Sequence, residues 1–127
     1  MFVFTWRHHA RADAAEAFVL GMKAGIAPAV IYRAIASGAG TSRMFEVRGP
    51  MMVAGSCEQA TMKVDVWQKD LRIITDFARE LGCPTPLFAA AAQLYAAALA
   101  QGSGEEGTAA VCAVLEDMAG LEPPKRD

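Results

Sequence analysis

Alanine in runs is the feature that most constrains this chain: Ala89-Ala90-Ala91-Ala92 and Ala96-Ala97-Ala98, with glycines and prolines standing between the apolar segments. Alanine loses no side-chain entropy in a helix and lets helix axes approach closely, so such runs favour helices packed on one another. β-Branched and aromatic residues are too scattered for alternating strands. The apolar share is 54% of 127 residues, above the roughly 45–50% of ordinary domains, and alanine supplies much of the excess. The class that follows is all-α. At this length one domain buries about two thirds of its unfolded surface.

Glycine and proline divide the chain. A first helix runs from before Ala10 to Ala24 and stops at Gly25, a residue suited to a left-handed cap. A second starts at Pro28 and ends near Gly38. Ser42 is placed to cap a third through Met52, which Gly49-Pro50 should interrupt. A loop at Gly55-Ser56-Cys57 precedes the longest segment, about Thr61 to Leu81, closed by Gly82 and Pro84. The fifth helix follows Pro86 and reaches Gln101. Only Gln93 and Gln101 are clearly polar along it, so it is expected to be central and buried nearly all round. A sixth begins near Glu105 or Glu106, presents Val111, Val114, Leu115 and Met118 on one stripe, and ends at Gly120. The tail from Leu121 to Asp127, with Pro123-Pro124, is expected to fray.

Several function classes are disfavoured. The formal net charge is −2 with no block of Lys and Arg, the footprint that nucleic acid or an anionic membrane would leave. No apolar run approaches the ~20 residues that span a bilayer. The opening Met1-Phe2-Val3-Phe4-Thr5-Trp6 lacks a basic lead and does not read as a signal peptide. Cys57, Cys83 and Cys112 are odd in number and widely spaced, as expected for reduced thiols in a cytoplasmic protein. His8-His9 has no metal-ligand spacing to other residues. Gly102-Ser103-Gly104-Glu105-Glu106-Gly107 matches the dinucleotide fingerprint by letter, but follows an alanine-rich helix and carries two glutamates that repel phosphate. It reads as a helix–helix loop. Gly38 to Arg43 is a better anion candidate, although a loop with a capping Ser42 is the commoner meaning of such a stretch. No self-contained catalytic constellation remains.

One residue does not fit its surroundings. On the wheel of the Thr61–Leu81 segment, Asp70 falls inside the apolar half, between the rows of Val66, Ile73 and Phe77, with Lys69 at the border. A carboxylate there costs several kcal/mol unless it is paired or hydrogen-bonded. Asp70 caps a neighbouring helix or meets an Arg, or this face borders a cleft with Lys69 and Asp70 at its lip, and the two readings are compatible.

Val66-Trp67-Gln68-Lys69-Asp70-Leu71, followed by Ala78, Leu81-Gly82, Pro84 and Pro86-Leu87, resembles the second domain of the β-hydroxyacid dehydrogenases. That family includes 3-hydroxyisobutyrate, tartronate semialdehyde and L-threonate type enzymes and is related to 6-phosphogluconate dehydrogenase. The resemblance takes in Ala15-Glu16-Ala17, Lys23-Ala24-Gly25-Ile26, Gly40-Thr41-Ser42 and Met44-Phe45-Glu46. Downstream it continues through Tyr95, Ala98, Gly102-Ser103-Gly104 and Ala109-Ala110-Val111. It implies an N-terminal Rossmann domain binding NAD or NADP, which this chain lacks, and a helical domain that closes the cleft and builds a homodimer. The resemblance assigns Lys69 and Asp70 to the cofactor side of that cleft, and Ser42 and Arg43 to its substrate side. The family's catalytic lysine would fall just before Met1, and its asparagine has no match within Met1 to Trp6. Arg43 stands where relatives often carry tryptophan and Thr61 where many carry phenylalanine, so the substrate is not specified.

Besides a small-ligand helical bundle unrelated to dehydrogenases, two functions stand open. The chain is either the helical half of an NAD(P)-dependent hydroxyacid oxidoreductase, inactive alone and served by a separate Rossmann domain, or a non-enzymatic helical oligomerisation module derived from that family.

Overall fold

The computed structural model describes residues 2–55, 63–107 and 110–122, apart from the side chain of Phe2. The described residues form six helices: α1 Phe2–Lys23, α2 Pro28–Ala36, α3 Arg43–Ala54, α4 Val64–Glu80, α5 Pro86–Ala100 and α6 Ala110–Met118. Among them there is no strand, only an isolated bridge between Lys63 and Gly107. The expected start of α4 at Thr61, the loop residues Ser56 and Cys57, Ala109 and the tail from Pro123 lie outside the described residues.

Helix ends follow the glycine punctuation. At the end of α1, Ile26 N–H donates to the Gly21 carbonyl at 3.0 Å and Gly25 N–H to that of Met22 at 2.9 Å. Gly25 between them has φ +83°. This paired arrangement satisfies carbonyls that a helix end leaves orphaned, and it recurs after α4, α5 and α6 at Gly82, Gly102 and Gly120. Ser42 caps α3, its hydroxyl accepting from Phe45 N–H at 3.1 Å.

Four expectations need correction. The longest helix is α1, with 22 residues against 17 in α4. The expected break at Gly49-Pro50 does not occur, since α3 continues to Ala54. Pro50 is exposed, so the Glu46 carbonyl it leaves unpaired can take a hydrogen bond from water. Helix α5 is not buried all round: Phe88, Ala91, Tyr95 and Ala98 point inward, while Leu87, Ala89, Ala90, Gln93, Ala96 and Ala100 are exposed. The central element is α1, which packs on α2, α3, α5 and α6. Helix α6 begins at Ala110, not at the glutamates, and Met118 falls off its buried stripe at 69% exposure.

The core sits around α1. Phe18 of α1 stacks on Phe45 of α3 at 5.9 Å between centroids, and Phe45 stacks on Tyr32 of α2 at 5.4 Å. Two glycines make this possible. A methyl at Gly21 would lie 2.5 Å from Ile31, and one at Gly49 would lie 2.6 Å from the Tyr32 ring. Helices α1, α2 and α3 thus meet at distances that only glycine allows. Helix α4 is set differently: it packs chiefly on α5. Its first turn is tied to the glycine-rich connector, with Val64 N–H donating to the Glu106 carbonyl at 3.1 Å and Asp65 N–H to that of Gly104 at 3.0 Å. Lys63 forms an ion pair with Glu105. The stretch that matched a dinucleotide fingerprint is therefore a connector whose carbonyls, pointing the wrong way for phosphate, cap α4.

Candidate functional site

Helix α4 has two apolar rows. Val64, Trp67, Leu71, Ile74 and Ala78 are buried. Val66, Ile73, Phe77 and Leu81 are exposed, at 59%, 46%, 37% and 65%. Asp70 belongs to this second row, at helical spacing from Val66, Ile73 and Phe77. It is half-buried, and among the described residues it accepts no hydrogen bond and makes no ion pair. It neither caps a neighbouring helix nor meets an arginine there. Lys69, beside it, is exposed and likewise unpartnered. Among the described residues most of this row stays exposed, with the Lys-Asp pair on it.

Ser42 and Arg43 lie elsewhere. Ser42 lines a cavity of about 350 Å³ with Trp6, Asp13, Ala17, Gly40 and Phe45, formed between α1 and the start of α3. Its hydroxyl is already engaged as the α3 cap. The Arg43 side chain, 86% exposed, pairs with Glu46 at 3.2 Å. Lys69 and Asp70 do not line that cavity, so the chain does not bring the two pairs into one pocket. A second cavity of about 280 Å³, almost wholly apolar, runs between the start of α1 and the end of α4, bordered by Trp6, His9, Ile74, Phe77, Leu81 and Cys83. Trp6 borders both cavities and is 65% exposed.

Sequence reasoning missed a polar group inside the bundle. His8 and Arg11 of α1 and Tyr95 of α5 are each at most 1% exposed, against the buried Trp67 of α4. His8 stacks on Tyr95 at 4.3 Å and on Trp67 at 5.4 Å. Trp67 Nε1–H donates to His8 Nδ1 at 2.5 Å. Burial pushes His8 down to about 3, helped by the neighbouring charges of His9 and Arg11, so it is neutral at pH 7. Burial also raises the Tyr95 phenol and lowers the guanidinium of Arg11. The available signal was spacing: His8, Arg11, Ala15 and Phe18 form one helical stripe. Two polar members on a buried stripe mark a polar site in the core.

Among the described residues no group of His, Cys, Asp or Glu is placed to hold a metal ion, and no helix is long and apolar enough to cross a membrane. Cys83 is a free, exposed thiol and Cys112 is buried and not disulfide-bonded.

The six-helix arrangement, with its Lys-Asp pair on the fourth helix, has the fold class of the helical domain of the β-hydroxyacid dehydrogenases. The chain belongs to the family described as NAD-binding of NADP-dependent 3-hydroxyisobutyrate dehydrogenase, whose model matches residues 9–115. It is 39% identical over 113 residues to L-threonate dehydrogenase of Cupriavidus necator, an alignment covering 89% of this chain and 37% of that enzyme. It is 31% identical over 110 residues to 2-(hydroxymethyl)glutarate dehydrogenase of Eubacterium barkeri, covering 87% and 36%. The crystal structure of 3-hydroxyisobutyrate dehydrogenase from Salmonella typhimurium superposes with a TM-score of 0.84 at 34% identity, over 89% of this chain and 39% of that one. The chain thus spans little more than a third of the length of these relatives.

Proposed function

We propose that this chain serves as the helical half of an NAD(P)-dependent hydroxyacid oxidoreductase, closing a cofactor and substrate cleft whose dinucleotide-binding wall is a Rossmann domain. The observation that carries this reading is the Lys69-Asp70 pair. A cation without a partner and a carboxylate set among Val66, Ile73 and Phe77 suit a face that another surface covers. The Lys69 ammonium fits the phosphates of NAD or NADP, or the carboxylate of a hydroxyacid. When bound, the nicotinamide supplies hydride transfer. This chain's part is to fix the ligand's charge and exclude water. Ser42 and Arg43 then stand by the cavity at the α1–α3 junction, on the substrate side.

The reading includes self-association. Phe77 and Leu81 of α4 border one apolar cavity with Trp6 of α1, Val66 and Ile73 of the same α4 row are exposed as well, and exposed apolar surfaces mark interfaces. The same surface favours the second reading, a helical oligomerisation module without catalysis of its own.

Calorimetric titration with NADH and NADPH, with and without an added Rossmann domain from a relative, separates the two. The oxidoreductase reading expects little or no binding and no turnover by the chain alone. It expects dehydrogenase turnover of a hydroxyacid when the partner domain is added, reduced at least tenfold by Lys69→Ala. Turnover by the chain alone contradicts the half-enzyme reading. A dimeric mass in light scattering with no response to cofactor or Rossmann domain favours the module.

A further inference from the structure

Helix α4 carries Lys69 and Asp70 but packs chiefly on one neighbour, α5. Its first turn is held by the Gly104 and Glu106 carbonyls, which fix where the helix starts. They do not fix its rotation about its own axis. Residues on a helix stand about 100° apart, so a modest roll carries a charged pair to a different heading. Something further along must set that roll.

Trp67 is placed to do so. It is 0% exposed and stands two residues before Lys69. Its ring lies 6.0 Å from Phe4 and 5.4 Å from His8 of α1, 5.3 Å from the Arg11 guanidinium carbon, and 6.5 Å from Tyr95 of α5. Phe4, His8 and Arg11 follow at helical spacing, so one side chain of α4 grips a whole stripe of α1. Ring contacts fill space but tolerate sliding. The Nε1–H bond to His8 Nδ1, at 2.5 Å, gives the indole a single direction. With the indole held inward, Lys69 stands about 200° round the helix and Asp70 about 60° to the other side of Trp67. Their surroundings agree: Lys69 is exposed and Asp70 half-buried.

The acceptor is as particular as the donor. An indole N–H can only donate, and a buried donor left without an acceptor is costly. His8 is 0% exposed and packs on Tyr95 at 4.3 Å and on Phe88 at 4.8 Å, so its ring has little freedom to turn. Burial keeps the imidazole neutral, which leaves the Nδ1 lone pair to the indole and puts the ring proton on Nε2. We propose that His8 is a positioning residue: by accepting the Trp67 indole N–H it sets the roll of α4, and with it the direction of Lys69 and Asp70. The consequence for a bound ligand rests on the cleft reading above; the setting of the helix does not.

The test compares two variants of the full chain. His8→Phe keeps a ring of similar size and removes the acceptor. His8→Asn loses the ring but holds an amide oxygen close to the place of Nδ1. Carbodiimide coupling of a small amine to the carboxylates, read by mass spectrometry, compares Asp70 with the exposed Asp76 of the same helix. With the roll released in His8→Phe, Asp70 should react about threefold faster relative to Asp76. In His8→Asn the ratio should return to that of the wild type, although the smaller side chain makes it the less stable protein in thermal unfolding. Packing alone predicts the reverse order, with His8→Asn the more disturbed. An unchanged ratio in His8→Phe overturns the proposal, as does an equal change in both variants. Should His8→Phe fail to fold, Trp67→Phe removes the donor instead and carries the same expectation. Turnover with an added Rossmann domain reads the consequence. His8→Phe should lower kcat/KM severalfold, and should cost nothing further in a chain already carrying Lys69→Ala. Additive losses overturn an action through Lys69. If Lys69→Ala costs nothing while the Asp70 ratio responds, the cleft reading fails and the setting of α4 by His8 stands.

Discussion

Helices α1 to α3 and helix α4 present their apolar residues in opposite ways. In the first region Phe18, Phe45 and Tyr32 stack in sequence, and Gly21 and Gly49 let the backbones close around them. In the second, one row of α4 is buried and another, Val66, Ile73, Phe77 and Leu81, stays open. Both present large apolar side chains, so the presence of such residues alone does not distinguish a core from an exposed face. What distinguishes them is the small residue opposite each large one. The α1–α3 junction packs within the described residues, whereas the second row of α4 stays exposed among them.

The sharpest way to break this contrast is Phe45→Ala. It should cost about 3–5 kcal/mol in urea unfolding, because the ring is buried between two others and its cavity cannot collapse. A cost near zero would mean that the α1–α3 junction is not a core.

Next comes pH. His8 is held neutral in the fold and has an ordinary unfolded value near 6.5. Between pH 6.5 and about 3 the unfolded chain binds one proton more than the folded one. Stability contributed by the neutral ring is therefore complete above pH 6.5 and declines as pH falls, by up to about 1.4 kcal/mol per unit. His8→Phe should flatten that slope in unfolding measured from pH 7 to 4.5. An unchanged slope would place the acid sensitivity on other groups.

Ser42→Ala removes the α3 cap and should cost about 1 kcal/mol in the same unfolding assay. Smallest in stability, and most informative for the comparison, is Phe77→Ser with Leu81→Ser. On an open face the pair should change monomer unfolding by no more than about 0.5 kcal/mol. The mass in light scattering should nonetheless fall from dimer to monomer at tens of micromolar protein. A large loss of monomer stability would show that α4 is packed within the chain after all.

Much of the helical layout is readable from glycine and proline, because left-handed caps and first-turn prolines are local requirements that few other residues meet. Burial along α5 is not readable in the same way. Alanine is small enough to suit either side, so Ala89 and Ala91 look alike in sequence and differ completely in exposure. The start of α6 was obscured because Glu105 is used across the fold, by Lys63, instead of along its own helix. At the site, Asp70 stands out because one carboxylate breaks an apolar row. Arg11 and His8 did not, since Arg7, His8, His9, Arg11 and Asp13 follow one another closely and only the fold reveals which of them are covered. The continuity of α3 through Pro50 shows a different limit: proline removes one hydrogen bond, and an exposed position lets water replace it.

Glycine-rich connectors are usually where a chain tolerates length changes, and the stretch from Gly102 to Gly107 has that composition. Here it serves as the anchorage of a distant element. Its carbonyls at Gly104 and Glu106 hold the first turn of α4, and a methyl at Gly104 would lie 2.6 Å from Asp65. Lys69 and Asp70 follow within two turns of that anchorage. One residue inserted or deleted in this connector would therefore re-aim the α4 stripe without altering any residue on it. Selection on the charged pair is then also selection on the length of a loop more than thirty residues away.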